Sequence, residues 1–129
     1  MSEEEFWSCY SEIEEAAHSS FEEFASSDKL LDKALEGIRG CLRVTEGEAK
    51  RLAERMGLDV NGNIIELSWV LAKARVISPK LLDDLEDVYA ISQKGADRLT
   101  VYSALIRSME VIEALWSSVR SQLNEPTHR

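Results

Sequence analysis

Residues Tyr102, Leu105, Met109, Ile112, Trp116, Val119 and Leu123 alternate steps of three and four. Only an α-helix brings side chains at that spacing onto one side, and a seam so regular has to be covered by other helices crossing at a shallow angle. The same period runs through the rest of the chain. Phe6, Tyr10, Ile13, Ala17, Phe21 and Phe24 mark one helix over residues 3–25, and Leu31, Leu35, Ile38, Leu42, Ala49, Leu52 and Met56 mark a second, ending at Gly57. Ile64, Leu67, Leu71 and Ala74 mark a third over about residues 63–76, and Leu81, Leu82, Leu85, Val88 and Tyr89 a fourth. No strand-like alternation and no internal repeat interrupts them. The pattern predicts an all-α antiparallel bundle of about five helices, built from 129 residues as a single domain. Within it we expect an acidic N-terminal helix over 1–27, the bundle proper over 28–123 and a frayed tail over 124–129 containing Pro126.

Local signals place the helix ends. Glu3, Glu4 and Glu5 suit the positive end of the first helix dipole, and Asp28 is a cap for the second helix. Gly37, Gly40 and Gly47 each weaken that second helix by about 1 kcal/mol relative to Ala, and they mark either close helix contact or a bend near Thr45. Asn61-Gly62 is a turn, Ser78-Pro79 opens the fourth helix, Gly95 breaks it, and Thr100 caps the fifth.

Charge is segregated along the chain. The net charge is −9, and residues 1–28 hold nine of the twenty-four acids and none of the fifteen bases. Such a segment repels phosphate, so we expect no direct nucleic-acid binding and instead a protein partner with a basic surface. Glu3, Glu4, Glu5, Glu12, Glu14, Glu15, Glu22 and Glu23 form the expected docking surface. Arg39 with Arg43, and Arg51 with Arg55, each stand four apart, but interleaved Glu46, Glu48 and Glu54 make helix-surface ion pairing the ordinary use of these bases. Trp116 lies on the last stripe and is expected in the core. Trp7 and Trp69 lie off theirs, which suits an interface, where Trp is enriched. Cys9 and Cys41 lack metal-type spacing; they read as reduced buried thiols, with a disulfide between them left open. No apolar run reaches the roughly 20 residues that span a bilayer, and acids stand where a secretory signal needs bases, so the expected location is the cytoplasm without membrane attachment.

Catalytic constellations are sparse. Glu15 and His18 have the spacing of one half of a di-iron site, but no second such pair exists. Glu12 with Glu15, and Asp84 with Asp87, could each hold half of a Mg²⁺ site as in all-α nucleotide pyrophosphatases, yet the spacing does not extend to a full set; Asp83, Asp84, Glu86 and Asp87 read as a solvated face. No phosphate loop or nucleophile elbow is present. We therefore expect no metal and no cofactor.

The order of signals from Asp32 to Leu123 resembles the HEPN family of small helical domains. It runs through Ala34-Leu35-Glu36-Gly37-Ile38-Arg39-Gly40-Cys41-Leu42, Met56-Gly57-Leu58, Ala-Arg-Val-Ile-Ser-Pro at 74–79, the Leu-rich stretch 81–91 and Leu99-Thr100. Where that family has a loop close to Leu-Arg-Lys-Leu-Arg-Asn-Lys-Ala-Ala-His, this chain has Val88-Tyr89-Ala90-Ile91-Ser92-Gln93-Lys94-Gly95-Ala96-Asp97. The resemblance implies a ribonuclease site of Arg, a polar residue and His, usually assembled across a dimer, in which His handles the 2′-hydroxyl proton and Arg steadies phosphate. Ser92, Gln93 and Asp97 replace these reagents. Arg98 is adjacent, but the two histidines, His18 and His128, are elsewhere.

The resulting expectation is a degenerate HEPN-like bundle that is not an enzyme. It would act as a homodimeric protein–protein interaction module in a prokaryotic or phage defence or regulatory system. The alternatives are an acidic nucleic-acid mimic that blocks a nucleic-acid-binding protein, an all-α nucleotide pyrophosphatase, or a residual ribonuclease.

Overall fold

Nearly every helix begins where a short polar side chain closes its first turn. In the computed structural model, which describes residues 2–125 apart from the Lys94 side chain, these are α1 (Ser2–Ala17), α2 (Phe21–Ala25), α3 (Asp28–Arg55), α4 (Ile64–Lys73), α5 (Pro79–Lys94) and α6 (Arg98–Asn124). Ser20, Ser27, Asn63, Ser78 and Asp97 accept from the backbone N–H three residues on, at 2.9–3.1 Å. Each satisfies a donor that the helix itself leaves open. Among the described residues there is no strand, and the architecture is the expected all-helical one.

Several boundaries differ from expectation for local reasons. The stripe over 3–25 is two helices, because Ser20 and Glu23 form a reciprocal capping box that starts α2 afresh. The expected bundle of about five helices thus has six among the described residues, the extra one coming from this division. Ser27, one position before Asp28, caps α3. The glycines of α3 mark close contact, since α3 runs unbroken through Thr45. A Cβ on Gly37 would sit 2.8 Å from the Cys9 carbonyl oxygen, and one on Gly40 would sit 2.4 Å from Cys9 Sγ. Gly95 ends α5 at φ 63°, a conformation that costs glycine little and other residues more. Asp97, not Thr100, caps α6. The expected frayed tail and His128 lie mostly outside the described residues.

α3 is the central element, packing against all five other helices. α1 lies along α3 and also meets α6, so the acidic segment is seated on the bundle. Phe6, fully buried, stacks on Trp116 with ring centroids 4.3 Å apart and planes 9° off parallel. Ile13 and Ala16 are buried on the same face. The short α2 is tied to α6 by Phe24 against Tyr102, by the Tyr102 hydroxyl donating to the Ser19 carbonyl at 2.7 Å, and by Arg98, which donates to the carbonyls of Phe24 and Ser27 and pairs with Asp28. The seam of α6 is buried at Leu105, Ile112, Trp116, Val119 and Leu123, and extends to Val101, Val111 and Leu115. Among the described residues no helix is long and apolar enough to cross a membrane.

Candidate functional site

The α5–α6 junction departs most from the HEPN pattern, and its geometry explains how. On α5 the buried face runs Leu82, Leu85, Val88 and then Ser92, which is 1% exposed. Ser92 continues the core stripe; its hydroxyl donates to the Tyr89 carbonyl at 2.7 Å and accepts from Gln93 Nε2 at 3.3 Å. An arginine at this position would bring a guanidinium beside Arg39, which already donates to the Ser92 carbonyl, and the like charges would repel. Gln93 is exposed. Asp97 is turned back onto its own helix, where its carboxylate accepts from Thr100 N–H at 2.9 Å. That N–H, with help from the Thr100 hydroxyl, holds its pKa below the usual carboxylate range.

An arginine does reach this junction, from another helix. Arg39 on α3 donates through Nε to the Ser92 carbonyl at 3.0 Å, capping the end of α5. Arg39 and Arg43, one turn apart, line a cleft of about 170 Å³ with Glu46, Tyr89, Ser92 and Gln93. Asp97 is not among its walls. Arg39 also pairs with Glu36 at 3.6 Å, and Glu46 with Lys50 at 3.4 Å, so ion pairing on α3 is as expected. The cleft offers guanidinium, hydroxyl and amide groups beside the Glu46 carboxylate. Neither His nor Cys lines it, so the proton-handling group of the HEPN pattern has no counterpart there.

A second arrangement surrounds the start of α1. Glu48 on α3 is 3% exposed, and its carboxylate accepts from Arg51 (3.0 Å), Arg120 of α6 (2.7 Å) and the Ser2 hydroxyl (3.1 Å). Burial alone would raise its pKa, but the hydrogen bonds from Arg120, Arg51 and Ser2 override this and lower it. Arg120 also lies over the Trp116 ring, 5.5 Å from its centroid. Glu48, expected among the surface acids with Glu46 and Glu54, is thus an inward-facing residue. The available signal was its spacing: Cys41, Thr45, Glu48 and Leu52 fall on one helical stripe, and all four are buried.

Of the expected docking acids, Glu3, Glu4, Glu5, Glu14, Glu15, Glu22 and Glu23 are exposed and Glu12 is half-buried. Glu15 pairs with Lys33 at 3.0 Å and Glu23 serves the α2 cap. Trp7 is 39% and Trp69 52% exposed, while Trp116 is buried. The structure brings Trp7 together with Glu3 and Glu4 in one cleft and leaves Trp69 on α4. Cys9 and Cys41 are free thiols; burial raises the pKa of both, most strongly for Cys41, whose thiol donates to the Phe6 carbonyl. Among the described residues no group of three or more His, Cys, Asp or Glu is placed to hold a metal. Asp84, expected on a solvated face, is instead mostly buried between Lys80 and Arg107.

No protein-family model matches this chain, and no curated protein matches it in sequence. Solved structures do. One is a crystal structure of a toxin–antitoxin with AMP-PNP, with a TM-score of 0.76 and 14% identity over 90% of this chain and 92% of the other. Another is a tri-AMPylated Shewanella oneidensis HEPN toxin in complex with an MNT antitoxin, with a TM-score of 0.75 and 16% identity over 90% and 91% of the two chains. The fold is therefore HEPN-like, and the likeness takes in more of the chain than the stretch from Asp32 onward. The same likeness corrects the expectation that the chain is not an enzyme. Its fold is shared with toxin structures, one of them AMPylated, so three altered side chains at one junction cannot set catalysis aside for the protein.

Proposed function

We propose that this protein is the HEPN-fold member of a toxin–antitoxin-type pair in a prokaryote or phage, held by a protein partner with a basic surface. The observation that carries this is the match over nine-tenths of both chains to toxin–antitoxin structures. The acidic face of α1 adds the partner's charge: its exposed carboxylates sit on a helix anchored to α3 and α6, so they are presented on a fixed surface.

The test is expression of the chain alone and together with the product of the adjacent gene. Slowed growth relieved by the neighbour, with the two proteins copurifying in a salt-sensitive complex, is the expected result. Unaffected growth and no complex would sink the reading. The segregated charge also favours a second reading, an acidic mimic of nucleic acid; displacement of DNA or RNA from a basic binding protein by this chain would support it.

A further inference from the structure

The first two turns of α1, the C-terminal end of α3 and the last third of α6 enclose a cleft of about 540 Å³ lined by Ser2, Glu3, Glu4, Trp7, Arg51 and Arg120. Its size falls within the roughly 300–1,000 Å³ typical of ligand clefts. Trp7 is held in place on two sides: its ring meets Phe6 edge-on at 4.9 Å and Tyr10 at 5.1 Å, and part of it remains exposed. An aromatic held this way offers contact area without losing further side-chain freedom on binding.

The polar walls are of two kinds. Arg51 and Arg120 are both committed to the buried Glu48 carboxylate. Glu3 and Glu4 are exposed in the first turn of α1, where the positive end of the helix dipole offsets part of their charge, and among the described residues neither side chain forms a hydrogen bond or ion pair. With Arg51 and Arg120 paired to Glu48, the net charge of the cleft is therefore negative, beside an apolar surface. Phosphate-bearing ligands are repelled by that field. A peptide segment with an apolar side chain next to Lys or Arg matches it.

We propose that this cleft is the docking site for a segment of a partner protein in which an apolar anchor, packed on Trp7, is flanked by a basic residue that pairs with Glu3 or Glu4. The proposal rests on the reading that the chain binds a protein, and it names the place and the chemistry. Trp and Arg at its centre fit the make-up of interface hot spots.

The test uses the full chain and a pool of capped peptides in which Leu, Phe, Met or Trp is flanked by Lys or Arg, against a pool with Asp or Glu in the flanks. The basic pool should bind saturably and move the amide signals of residues 2–7 and the Trp7 indole signal. Glu3→Gln/Glu4→Gln and Trp7→Leu should each weaken binding about tenfold or more, and Trp69→Leu should leave it unchanged. The double Glu variant touches only exposed side chains, so it stays informative if Trp7→Leu folds poorly. Absence of saturable binding, equal binding of the acidic pool, or shifts clustered elsewhere would each overturn the proposal. If the neighbouring gene's product copurifies with wild-type and variant chains alike, the docking site fails while the toxin–antitoxin reading stands. If no such protein exists, the peptide titration still decides the cleft.

Discussion

Asp97 shows how one side chain can be read in two ways. In a pattern it stands where the HEPN loop has His; in the structure it is the N-cap of α6, and Thr100 N–H is its partner. Asp97→Asn, which retains a capping oxygen, should leave thermal stability nearly unchanged. Asp97→Ala should lower Tm by roughly 3–5 °C in a calorimetric scan. Glu48 makes a second prediction. Its folded pKa is depressed, so its contribution to stability is present above its unfolded value of about 4.5 and is lost as pH falls below that value through the folded pKa. Urea midpoints measured from pH 7 to pH 3 should fall for the wild type, and Glu48→Gln should flatten part of that fall. At neutral pH the same variant should cost about 2 kcal/mol, below the roughly 3–5 kcal/mol of fully buried pairs because Arg51 is largely solvated. A Glu between Thr45 and Leu52 on a buried stripe was legible as an inward position. That two arginines, one of them 72 residues away, would meet it there was not.

Helix α3 separates what glycine does by position. Gly37 touches the α1 backbone, whereas Gly47 has nothing within 4 Å of where its Cβ would be. The two substitutions to Ala should therefore have opposite signs. Gly47→Ala should stabilise by about 0.5–1 kcal/mol, since the helix gains propensity and meets no obstacle. Gly37→Ala should destabilise by about 1–3 kcal/mol through overpacking against Cys9 and Ile13. Chemical denaturation of both variants checks this, and a shared sign would contradict the close α1–α3 contact. Sequence alone left these glycines between contact and bend, because periodicity describes one helix and says nothing of how near its neighbour comes. Similarly, the Phe6–Phe24 stripe reads as one helix, since the capping box at Ser20 and Glu23 leaves the apolar spacing on either side almost in phase.

Across the molecule, the question with most bearing on function is whether the acidic segment is an arm or a wall. The stacking of Phe6 on Trp116 makes it a wall. Phe6→Ala should cost about 3–5 kcal/mol in global stability, and Trp fluorescence and far-ultraviolet circular dichroism should report a single coincident transition. A detached arm would give almost no loss. The helical class, the helix start at Ser78-Pro79, the stop at Gly95 and the exposure of Trp7 and Trp69 were legible in the sequence, because helical period, breakers and off-stripe aromatics are set by residues within a turn or two of each other. Seating α1 on α3 and α6, converging Arg51 and Arg120 on Glu48, bringing Arg39 to the end of α5 and gathering Glu3, Glu4 and Trp7 into one cleft were decided only by tertiary structure. Each joins residues far apart in the chain, and such encounters depend on which helices pack side by side, a choice that the local pattern of any one helix leaves open.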